Sequence, residues 1–303
     1  MIKNVIIVGN GSHAKKRIIP SLNKKKVKIN EIFSSKDSLS RIFKSSIKIK
    51  NPFFYICTPP DSHFKIINFL LLKNQNVIVE KPAVLKLSQF KILENIIALN
   101  KKNIFIENLM YQNSKIFLNF VKYFRKNKKN ILEIDINFLI PNFFKIGFRS
   151  KSNENFIILY DIGIYPISLL NILKVKILKT KVLKKIIFKN KIKKIHLQLN
   201  SKKFKIKINI GDSKEYVNNI ILTLSDGSKV FFDKIFNGTK VNKEIIFKDS
   251  KIKKTVLIKD HNCFEKFFNS NLKKLLNKKK QGLKLIKENL LLLDMIKSEI
   301  KSD

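Results

Sequence analysis

Residues 5–14 of the chain read Val-Ile-Ile-Val-Gly-Asn-Gly-Ser-His-Ala. The four apolar residues predict a short buried strand, and Gly9 and Gly11 predict a tight turn that a ligand can approach closely. A helical pattern follows over residues 13–23. A strand, a Gly-x-Gly-x-x-Ala turn and a helix in this order are typical of a site that holds the pyrophosphate of a dinucleotide at the start of the helix. We therefore expect a doubly wound parallel sheet in the N-terminal third of the chain, with the pyrophosphate bound by Gly9, Gly11, Ser12, His13 and Ala14.

The end of the second predicted strand selects the dinucleotide. An acid there accepts hydrogen bonds from the ribose hydroxyl of NAD, whereas residues 33–36 read Phe-Ser-Ser-Lys and the first acid is Asp37. A hydroxyl and a cation suit a 2′-phosphate. We expect Ser35 and Lys36 to bind this phosphate and NADP to be the favoured cofactor, with NAD as the open alternative.

Strand and helix patterns alternate up to about residue 110, which is typical of parallel strands joined by crossover helices. After residue 111 the pattern changes to runs in which apolar residues alternate with Lys or Asn, as in a sheet with one wet face. The sequence predicts a Rossmann domain over residues 1–110 and an α+β domain over residues 111–303 with a large open, mostly antiparallel sheet. The last helices, expected over residues 263–277 and 283–300, can pack back on the first domain, and residues 277–280 are expected to form a loop. The predicted strands of the second domain cover residues 132–138, 192–199, 204–210, 216–224 and 229–235.

The composition is strongly basic, with a formal net charge of +41. Only 4 of the 63 basic residues are Arg, which leaves 59 Lys. Nucleic-acid readout favours Arg, and lysines that alternate with apolar residues lie on a solvent face. Ile, Asn, Phe and Lys have AT-rich codons, so we attribute the charge mainly to an AT-rich genome and expect no nucleic-acid partner. A positive field would still attract a phosphorylated ligand.

Other classes of protein are disfavoured by simple counts. Cys57 and Cys263 are the two cysteines, and neither they nor the histidines have the spacing of a metal site, so no metal is expected. No apolar run reaches the roughly 18 residues of a membrane span, and no signal-peptide pattern is present. We expect a cytoplasmic protein without a membrane partner.

Several motifs resemble those of the Gfo/Idh/MocA oxidoreductase family, in the branch of glucose–fructose oxidoreductase, dihydrodiol dehydrogenase and keto-sugar reductases. They occur in the family's order from residue 5 to about residue 268. After the glycine turn come Ala-Lys-Lys-Arg-Ile-Ile-Pro-Ser-Leu (14–22), Tyr-Ile-Cys-Thr-Pro-Pro-Asp-Ser-His (55–63), Val-Ile-Val-Glu-Lys-Pro (77–82), Glu-Asn-Leu-Met-Tyr (107–111), Asp-Ile-Gly-Ile-Tyr-Pro (161–166) and Lys-Asp-His (259–261).

This resemblance implies roles for individual residues. Lys81 would lie near the nicotinamide and the substrate oxygen, Tyr165 would give or take the proton, and Asp161 would bind substrate or orient that pair. Such roles fit the chemistry, because hydride transfer to a carbonyl builds negative charge on oxygen that a cation and an acid stabilise. Further cofactor contacts are expected from Thr58, Pro59, His63, Glu80 and Lys81, with His63 acting as a loop tether or a cofactor contact, and substrate contacts from Tyr111 and Arg149.

The resemblance also implies a sugar-like small-molecule substrate and a homo-oligomer, a dimer or tetramer built on the open sheet. One departure concerns residues 155–160, Asn-Phe-Ile-Ile-Leu-Tyr, where the branch often has a glycine-rich stretch. The leading hypothesis is an NADP-linked oxidoreductase that acts on a sugar, sugar nucleotide or cyclitol. The alternatives are an NAD(P)-binding sensor or partner subunit without catalysis, which the bulky stretch motivates, and a binder of nucleic acid or anionic surfaces, which the charge motivates.

Overall fold

The computed structural model describes residues 2–34, 36–145, 147–151, 155–249, 252–270 and 272–302. Ser35, one of the predicted phosphate-binding residues, lies outside the described residues. The chain forms two compact units. The first comprises Met1–Met110 and Phe264–Leu290, and the second comprises Tyr111–Cys263 and Leu291–Asp303.

A five-stranded parallel sheet with the strand order β2-β1-β3-β4-β5 forms the first unit. The order reverses between β1 and β3, and the carboxyl ends of these strands mark the switch point at which doubly wound sheets bind ligands. The strands are β1 (Asn4–Val8), β2 (Lys28–Phe33), β3 (Phe53–Ile56), β4 (Asn76–Glu80) and β5 (Phe105–Asn108). The helices are a π-helical turn (Ala14–Ile18) that continues into α1 (Ile19–Lys24), then α2 (Leu39–Lys44), α3 (Pro60–Leu72) and α4 (Leu87–Leu99).

Both faces of this sheet are covered, because successive side chains of a strand point to opposite faces. Ile6 and Val8 of β1 lie in one apolar cluster, and Val5 and Ile7 lie in another, all fully buried. The second cluster also contains Phe264 from the later part of the chain. A strand that is buried on both sides reads as a continuous apolar run, so the predicted Rossmann sheet is confirmed.

The second unit is built on an eight-stranded sheet with the order β13-β12-β11-β10-β6-β9-β8-β7. All neighbours pair antiparallel except β6 and β9, which are parallel, and the predicted open, mostly antiparallel sheet is confirmed. Its strands are β6 (Ile131–Pro141), β7 (Ile177–Phe188), β8 (Lys191–Ser201), β9 (Lys205–Ser213), β10 (Val217–Leu224), β11 (Lys229–Asp233), β12 (Asn242–Lys248) and β13 (Lys253–Lys259). Its helices are α5 (Lys115–Asn127), α6 (Phe148–Lys151) and a π-helical turn (Leu159–Gly163) that leads into α7 (Ile164–Ile172), and short 3-10 turns lie at Met110–Asn113 and Phe143–Lys145. The two last helices are α8 (Cys263–Phe268), which belongs to the first unit from Phe264 onward, and α9 (Leu272–Ser302), which belongs to the first unit up to Leu290 and to the second from Leu291.

Two expectations about this part of the chain were wrong. The sequence reading missed three strands, β7, β12 and β13, of which β7 and β13 are the edge strands of the sheet. Edge strands bury less than central ones, and the many lysines of β7 obscure its apolar pattern. The expected loop over residues 277–280 is helical and belongs to α9, because lysine is a good helix former and because Leu275 and Ile286, on either side of it, are buried. In the described part of the chain, no helix combines the length and the apolar character needed to cross a bilayer.

Candidate active site

The glycine turn joins the ends of three strands of the first unit. The N–H of Gly9 donates to the carbonyl oxygen of Phe33, the last residue of β2, at 2.8 Å. The φ of Gly9 is +113°, and a Cβ there would lie 2.7 Å from the main-chain carbonyl carbon of Cys57, just beyond β3. Only glycine tolerates this conformation and this approach. At Gly11 a Cβ would meet nothing within 4 Å, so the missing side chain leaves open space above the turn.

The helix that follows begins at Ser12. The N–H of Lys15 donates to the carbonyl oxygen of Gly11 at 3.1 Å, and Ser12 and His13 are exposed while Ala14 is buried against the sheet. The first N–H groups of a helix have no partner inside the helix and favour an anion. The turn therefore has the main-chain geometry of a phosphate site, and the small side chain of Ala14 permits close packing of helix and strand.

A buried polar cluster lies behind the turn. The hydroxyl of Tyr55 donates to Oε1 of Glu80, and Nδ2 of Asn108 donates to the Tyr55 hydroxyl at 2.8 Å. Nε2 of His13, on the turn itself, lies 3.3 Å from Oε1 of Glu80. Burial acts to raise the pKa of Glu80, but His13, Tyr55 and Lys81 outweigh it and hold that pKa below its ordinary value. Glu80 is therefore a buried carboxylate that ties the glycine turn to the end of β4.

His63 connects two loops at the same edge of the sheet. It is fully buried in α3, with Nδ1 2.9 Å from the carbonyl oxygen of Pro82 and Nε2 2.8 Å from that of Thr58. Burial lowers the pKa of the imidazole and outweighs these two contacts. His63 thus holds the loop of Thr58 and Pro59, which precedes α3, to the turn after β4.

Lys81 directly follows β4, and Glu107 is the second-last residue of the neighbouring strand β5. Lys81 is partly buried and precedes a cis peptide bond to Pro82. Oε1 of Glu107 accepts the N–H of Ala83 at 2.7 Å. Burial raises the pKa of Glu107 to about 7, against the lowering effects of the Ala83 N–H and the Lys81 charge. The turn that carries Lys81 is therefore held from two sides, by His63 and by Glu107.

The loop after β2 is held by hydrogen bonds among its own residues. Oδ2 of Asp37 accepts from the N–H of Ser34 at 2.8 Å and from its hydroxyl at 2.9 Å, and Oδ1 accepts from Arg41 at 2.7 Å. The N–H of Lys36 donates to the Ser34 hydroxyl at 3.2 Å, and the Lys36 side chain is exposed. Asp37 is thus bound within the loop, and the first residue beyond β2 is Ser34 rather than an acid.

In the second unit, Asp161 lies in the π-helical turn before α7 and is 4 % exposed. Its Oδ2 pairs with Nε of Arg149 at 2.5 Å, and the Arg149 guanidinium lies 4.5 Å from the ring centre of Phe143. Asp161 makes this ion pair from within a continuous helical segment. Tyr165 follows one turn later and therefore lies on the same side of the helix.

Tyr165 is surrounded by aromatic rings and is 8 % exposed. Its ring centre lies 5.6 Å from that of Tyr111, 5.3 Å from that of Phe138 and 5.6 Å from that of Phe236. The Tyr111 hydroxyl lies 2.7 Å from the hydroxyl of Ser168. Packing of this kind fixes the orientation of a ring, so the position of the Tyr165 hydroxyl is set by the apolar interior of the second unit.

Apart from Ser35, which lies outside the described residues, the predicted residues of the first unit lie around one edge of its sheet, and Asp161 and Tyr165 of the second unit lie on one helical segment. Sequence reasoning assigned no role to Tyr55, Asn108, Glu107 or Arg41. Glu107 could have been found, since a carboxylate at the carboxyl end of a buried parallel strand lies at the same sheet edge as Lys81. Among the described residues, no group of three or more His, Cys, Asp or Glu side chains is placed to hold a metal ion.

Comparisons with known proteins extend these observations. The model of the oxidoreductase family GFO_IDH_MocA, NAD-binding Rossmann fold, matches residues 3–108. No curated protein sequence matches the chain. The 3-ketoreductase KijD10 from Actinomadura kijaniata, solved with NADP and TDP-benzene, has a TM-score of 0.79 at 15% identity over 99% of this chain and 98% of its own. Aldose-aldose oxidoreductase from Caulobacter crescentus, complexed with glycerol, has a TM-score of 0.78 at 12% identity over 100% of this chain and 98% of its own.

At these identities the structural likeness establishes a shared fold across both units. The family match confirms the resemblance to this family over the whole of the parallel sheet, and its range includes the glycine turn and the Glu-Lys-Pro segment. Over residues 3–108 the chain matches the NAD-binding Rossmann-fold domain of the Gfo/Idh/MocA oxidoreductase family.

Proposed function

We propose that the protein is an NADP-linked oxidoreductase that transfers a hydride between the nicotinamide and a carbonyl or hydroxyl carbon of a sugar, sugar nucleotide or cyclitol. The observation that carries this proposal is the position of Lys81. Among 59 lysines, it is the one that follows β4 at the carboxyl edge of the family's Rossmann sheet, in a turn fixed by His63 and Glu107. A cation held at that edge suits a developing negative charge on oxygen.

The first unit fits a dinucleotide. Gly11 leaves open space at the start of a helix, and the N–H groups there suit a pyrophosphate. No acid follows β2 directly, and Ser35 and Lys36 would bind the 2′-phosphate where an acid would otherwise accept the ribose hydroxyl. When bound, the nicotinamide supplies or accepts the hydride. Gly9, Gly11, Ser12 and His13 would hold the pyrophosphate, and Thr58 and Pro59 would line the nicotinamide side of the switch point.

The chain's own residues stabilise the charge on the substrate oxygen and transfer the proton. Lys81 stabilises the negative charge on the substrate oxygen, and Tyr165 exchanges the proton with that oxygen as a general acid or base. Asp161 holds Arg149, which we propose as a contact for the substrate. Tyr111 is fully buried, with its hydroxyl 2.7 Å from that of Ser168, and we propose that it supports the substrate site by packing against the Tyr165 ring. The buried cluster of Tyr55, Glu80 and Asn108 positions the glycine turn relative to Lys81, because His13 of the turn contacts Glu80.

The substrate class is supported by the fold and by the charge of the chain. Two enzymes of the same fold are a ketoreductase solved with TDP-benzene and an aldose-aldose oxidoreductase. A net charge of +41 raises the local concentration of anionic ligands, which favours a substrate that carries a diphosphate. A keto-sugar joined to a nucleotide has both features.

A second function, an NAD(P)-binding sensor without turnover, is favoured by one observation in the second unit. Asp161 already has a close ionic partner in Arg149, and the buried residues Ile158, Leu159 and Tyr160 precede it. An apolar wall of this kind can replace a substrate pocket. The two functions differ in turnover and agree in cofactor binding.

The test uses the full chain. NADPH and NADH binding is measured by fluorescence titration, and oxidation of NADPH is followed by its absorbance against a panel of keto-sugars and nucleotide-linked keto-sugars. Lys81→Ala is compared with Lys91→Ala, which removes an exposed lysine from α4. We expect Lys81→Ala to bind NADPH and to lower kcat by about 100- to 1,000-fold, the range for loss of one group that stabilises a developing oxyanion, while Lys91→Ala behaves like the wild type.

Three outcomes separate the candidates. Turnover that depends on Lys81 supports the oxidoreductase. Binding of NADPH with no turnover of any keto-sugar, polyol or diol supports the sensor. Absence of binding to either dinucleotide overturns both.

We also propose that the protein forms a dimer or tetramer through the open sheet of the second unit and that it acts in the cytoplasm. Large apolar side chains on its strands are between 47% and 65% exposed: Leu132, Leu178, Leu183, Ile187, Phe188 and Leu257. Four of the six lie on β7, an edge strand of the sheet, and an exposed apolar edge strand is a surface on which a second chain can pair. Light scattering after gel filtration gives the mass, and a monomer of 35.4 kDa at micromolar concentration would refute the oligomer.

A further inference from the structure

The loop after β2 and the helix α2 that follows it carry three charged side chains whose arrangement affects the choice between NADP and NAD. Lys36, Asp37 and Arg41 lie within six residues of each other. The carboxyl end of this strand is where the adenine-side ribose of a dinucleotide binds. Any preference set by these residues rests on the dinucleotide site proposed above.

Asp37 is the residue of this loop that would favour NAD. Its carboxylate lies against the first residue beyond β2, since Ser34 donates to Oδ2 through both its N–H and its hydroxyl. The bonds from the Ser34 amide and hydroxyl, together with the Arg41 charge, lower the pKa of Asp37, so the group is an anion at neutral pH. An unopposed anion at this place would repel a 2′-phosphate and accept from a 2′-hydroxyl.

Arg41 opposes this anion directly. Its guanidinium donates to Oδ1 of Asp37 at 2.7 Å, and the same group lies 5.8 Å from the ring centre of Phe33, the last residue of β2. Arginine has five N–H donors, and the bond to Asp37 uses one of them. The Arg41 side chain is 72% exposed, so its remaining donors face the solvent side of the loop.

The charges of Lys36, Arg41 and Asp37 therefore sum to +1 at a site where a 2′-phosphate would add negative charge. We propose that Arg41 is the residue that sets the preference for NADP, by holding and neutralising the carboxylate of Asp37 at the end of β2. Without Arg41 the same loop would have no net charge and would present the Asp37 carboxylate to the ribose.

The test is a double-variant cycle read as the ratio of the NADH and NADPH dissociation constants, measured by fluorescence titration. Arg41→Gln is expected to reduce this ratio by about 10- to 100-fold, the range that a hydrogen bond to a charged group contributes. Adding Asp37→Asn to that variant removes the exposed anion and is expected to restore at least a third of the lost preference on a logarithmic scale. Arg125→Gln, at an exposed position of α5, is the control for the loss of one positive charge.

Each outcome decides a separate point. An unchanged ratio in Arg41→Gln overturns the inference, and so does a reduced ratio that Asp37→Asn leaves where it is, because Arg41 would then act on the phosphate alone. A wild-type protein that binds neither NADPH nor NADH overturns the proposed function itself. Since Arg41 is largely exposed, circular-dichroism melting is expected to show the same Tm for all variants, which separates a change in preference from a change in folding.

Discussion

Replacement of Lys243 by Met is expected to destabilise the second unit strongly, because Lys243 is a buried cation. It lies in β12, and its Nζ is 3.0 Å from Oδ2 of Asp260, with both side chains fully buried. The same Nζ donates to the carbonyl oxygen of Asn237 at 2.5 Å. Asp260 also accepts the N–H groups of Lys115, at the start of α5, and of His261, each at 2.9 Å. The ion pair thus connects β12, the loop before α8 and the N-terminus of α5.

The size of the effect follows from what remains after the substitution. Removing one partner of a buried ion pair costs about 3–5 kcal/mol, because the other charge stays buried. The main-chain N–H donors continue to stabilise Asp260, so we expect the lower end, about 3 kcal/mol. For a unit of this size that corresponds to a fall in Tm of about 6–12 °C.

The pH dependence has a defined sign. Burial acts to raise the pKa of Asp260, but the Lys115 N–H and Lys243 outweigh it and hold the pKa below its ordinary value of 3.8. A depressed carboxyl pKa stabilises the fold above pH 3.8, and this contribution is lost as the pH falls through the folded-state pKa. The difference between wild type and Lys243→Met should therefore be present at pH 7 and shrink at pH values below about 4.

Urea denaturation followed by circular dichroism at several pH values measures this difference. Lys248→Met is the matched control, since Lys248 is exposed at the end of the same strand. The double variant Lys243→Met/Asp260→Asn should recover part of the loss, because no uncompensated charge remains. If Lys243→Met were as stable as Lys248→Met at pH 7, the argument from the buried pair would be refuted.

Three further predictions concern glycines and one carboxyl group. Gly9→Ala should lower stability and abolish NADPH binding, because its Cβ would collide with the main chain at Cys57, whereas Gly11→Ala should keep the Tm and lose NADPH affinity; equal melting curves for the two variants would contradict this. In the wild type, burial raises the pKa of Glu107 from 4.5 to about 7, so the protein loses stability as the pH rises from 4.5 through 7. Gln cannot ionise, and the free energy of unfolding of Glu107→Gln should therefore increasingly exceed that of the wild type between pH 5 and pH 8. The span of about 2.5 pKa units sets an upper limit of about 3 kcal/mol, and a difference in urea denaturation that does not vary with pH would argue against it. Gly211→Ala should destabilise the second unit by more than 1 kcal/mol, since φ is +146° and the Cβ would lie 2.6 Å from Cα of the paired strand; calorimetry of an unchanged transition would refute this.

The parallel sheet could be predicted from the sequence because the pattern that indicates each of its strands lies within a few consecutive residues. Residues 5–8 and 53–56 are continuous apolar runs, which is how strands covered on both faces read. The glycine turn is equally local, since its geometry depends on two residue types at fixed spacing. β7 could not be predicted in this way, because it lies at the sheet edge and alternates apolar residues with lysines that also occur in helices and loops of this chain.

The contacts within the candidate site depend on the tertiary fold. Glu80 meets His13 across 67 positions of sequence, and Asp161 meets Arg149 across 12. With 59 lysines in the chain, residue type alone could not show that Lys243 is fully buried. The sequence identified the motifs, and the packing determined which charges within and around them are paired.

The first unit is discontinuous in the chain, and this has a consequence for its synthesis. Its apolar clusters need Phe264, Phe267 and Leu290, which follow the whole of the intervening segment 111–263. At a translation rate of about 5–20 residues per second, that segment takes roughly 8–30 s to emerge from the ribosome. During this interval residues 1–110 of the nascent chain expose the surface of β1 and β3 that these side chains later cover. A chaperone that binds apolar strands can therefore bind the first unit before its last segment has been synthesised.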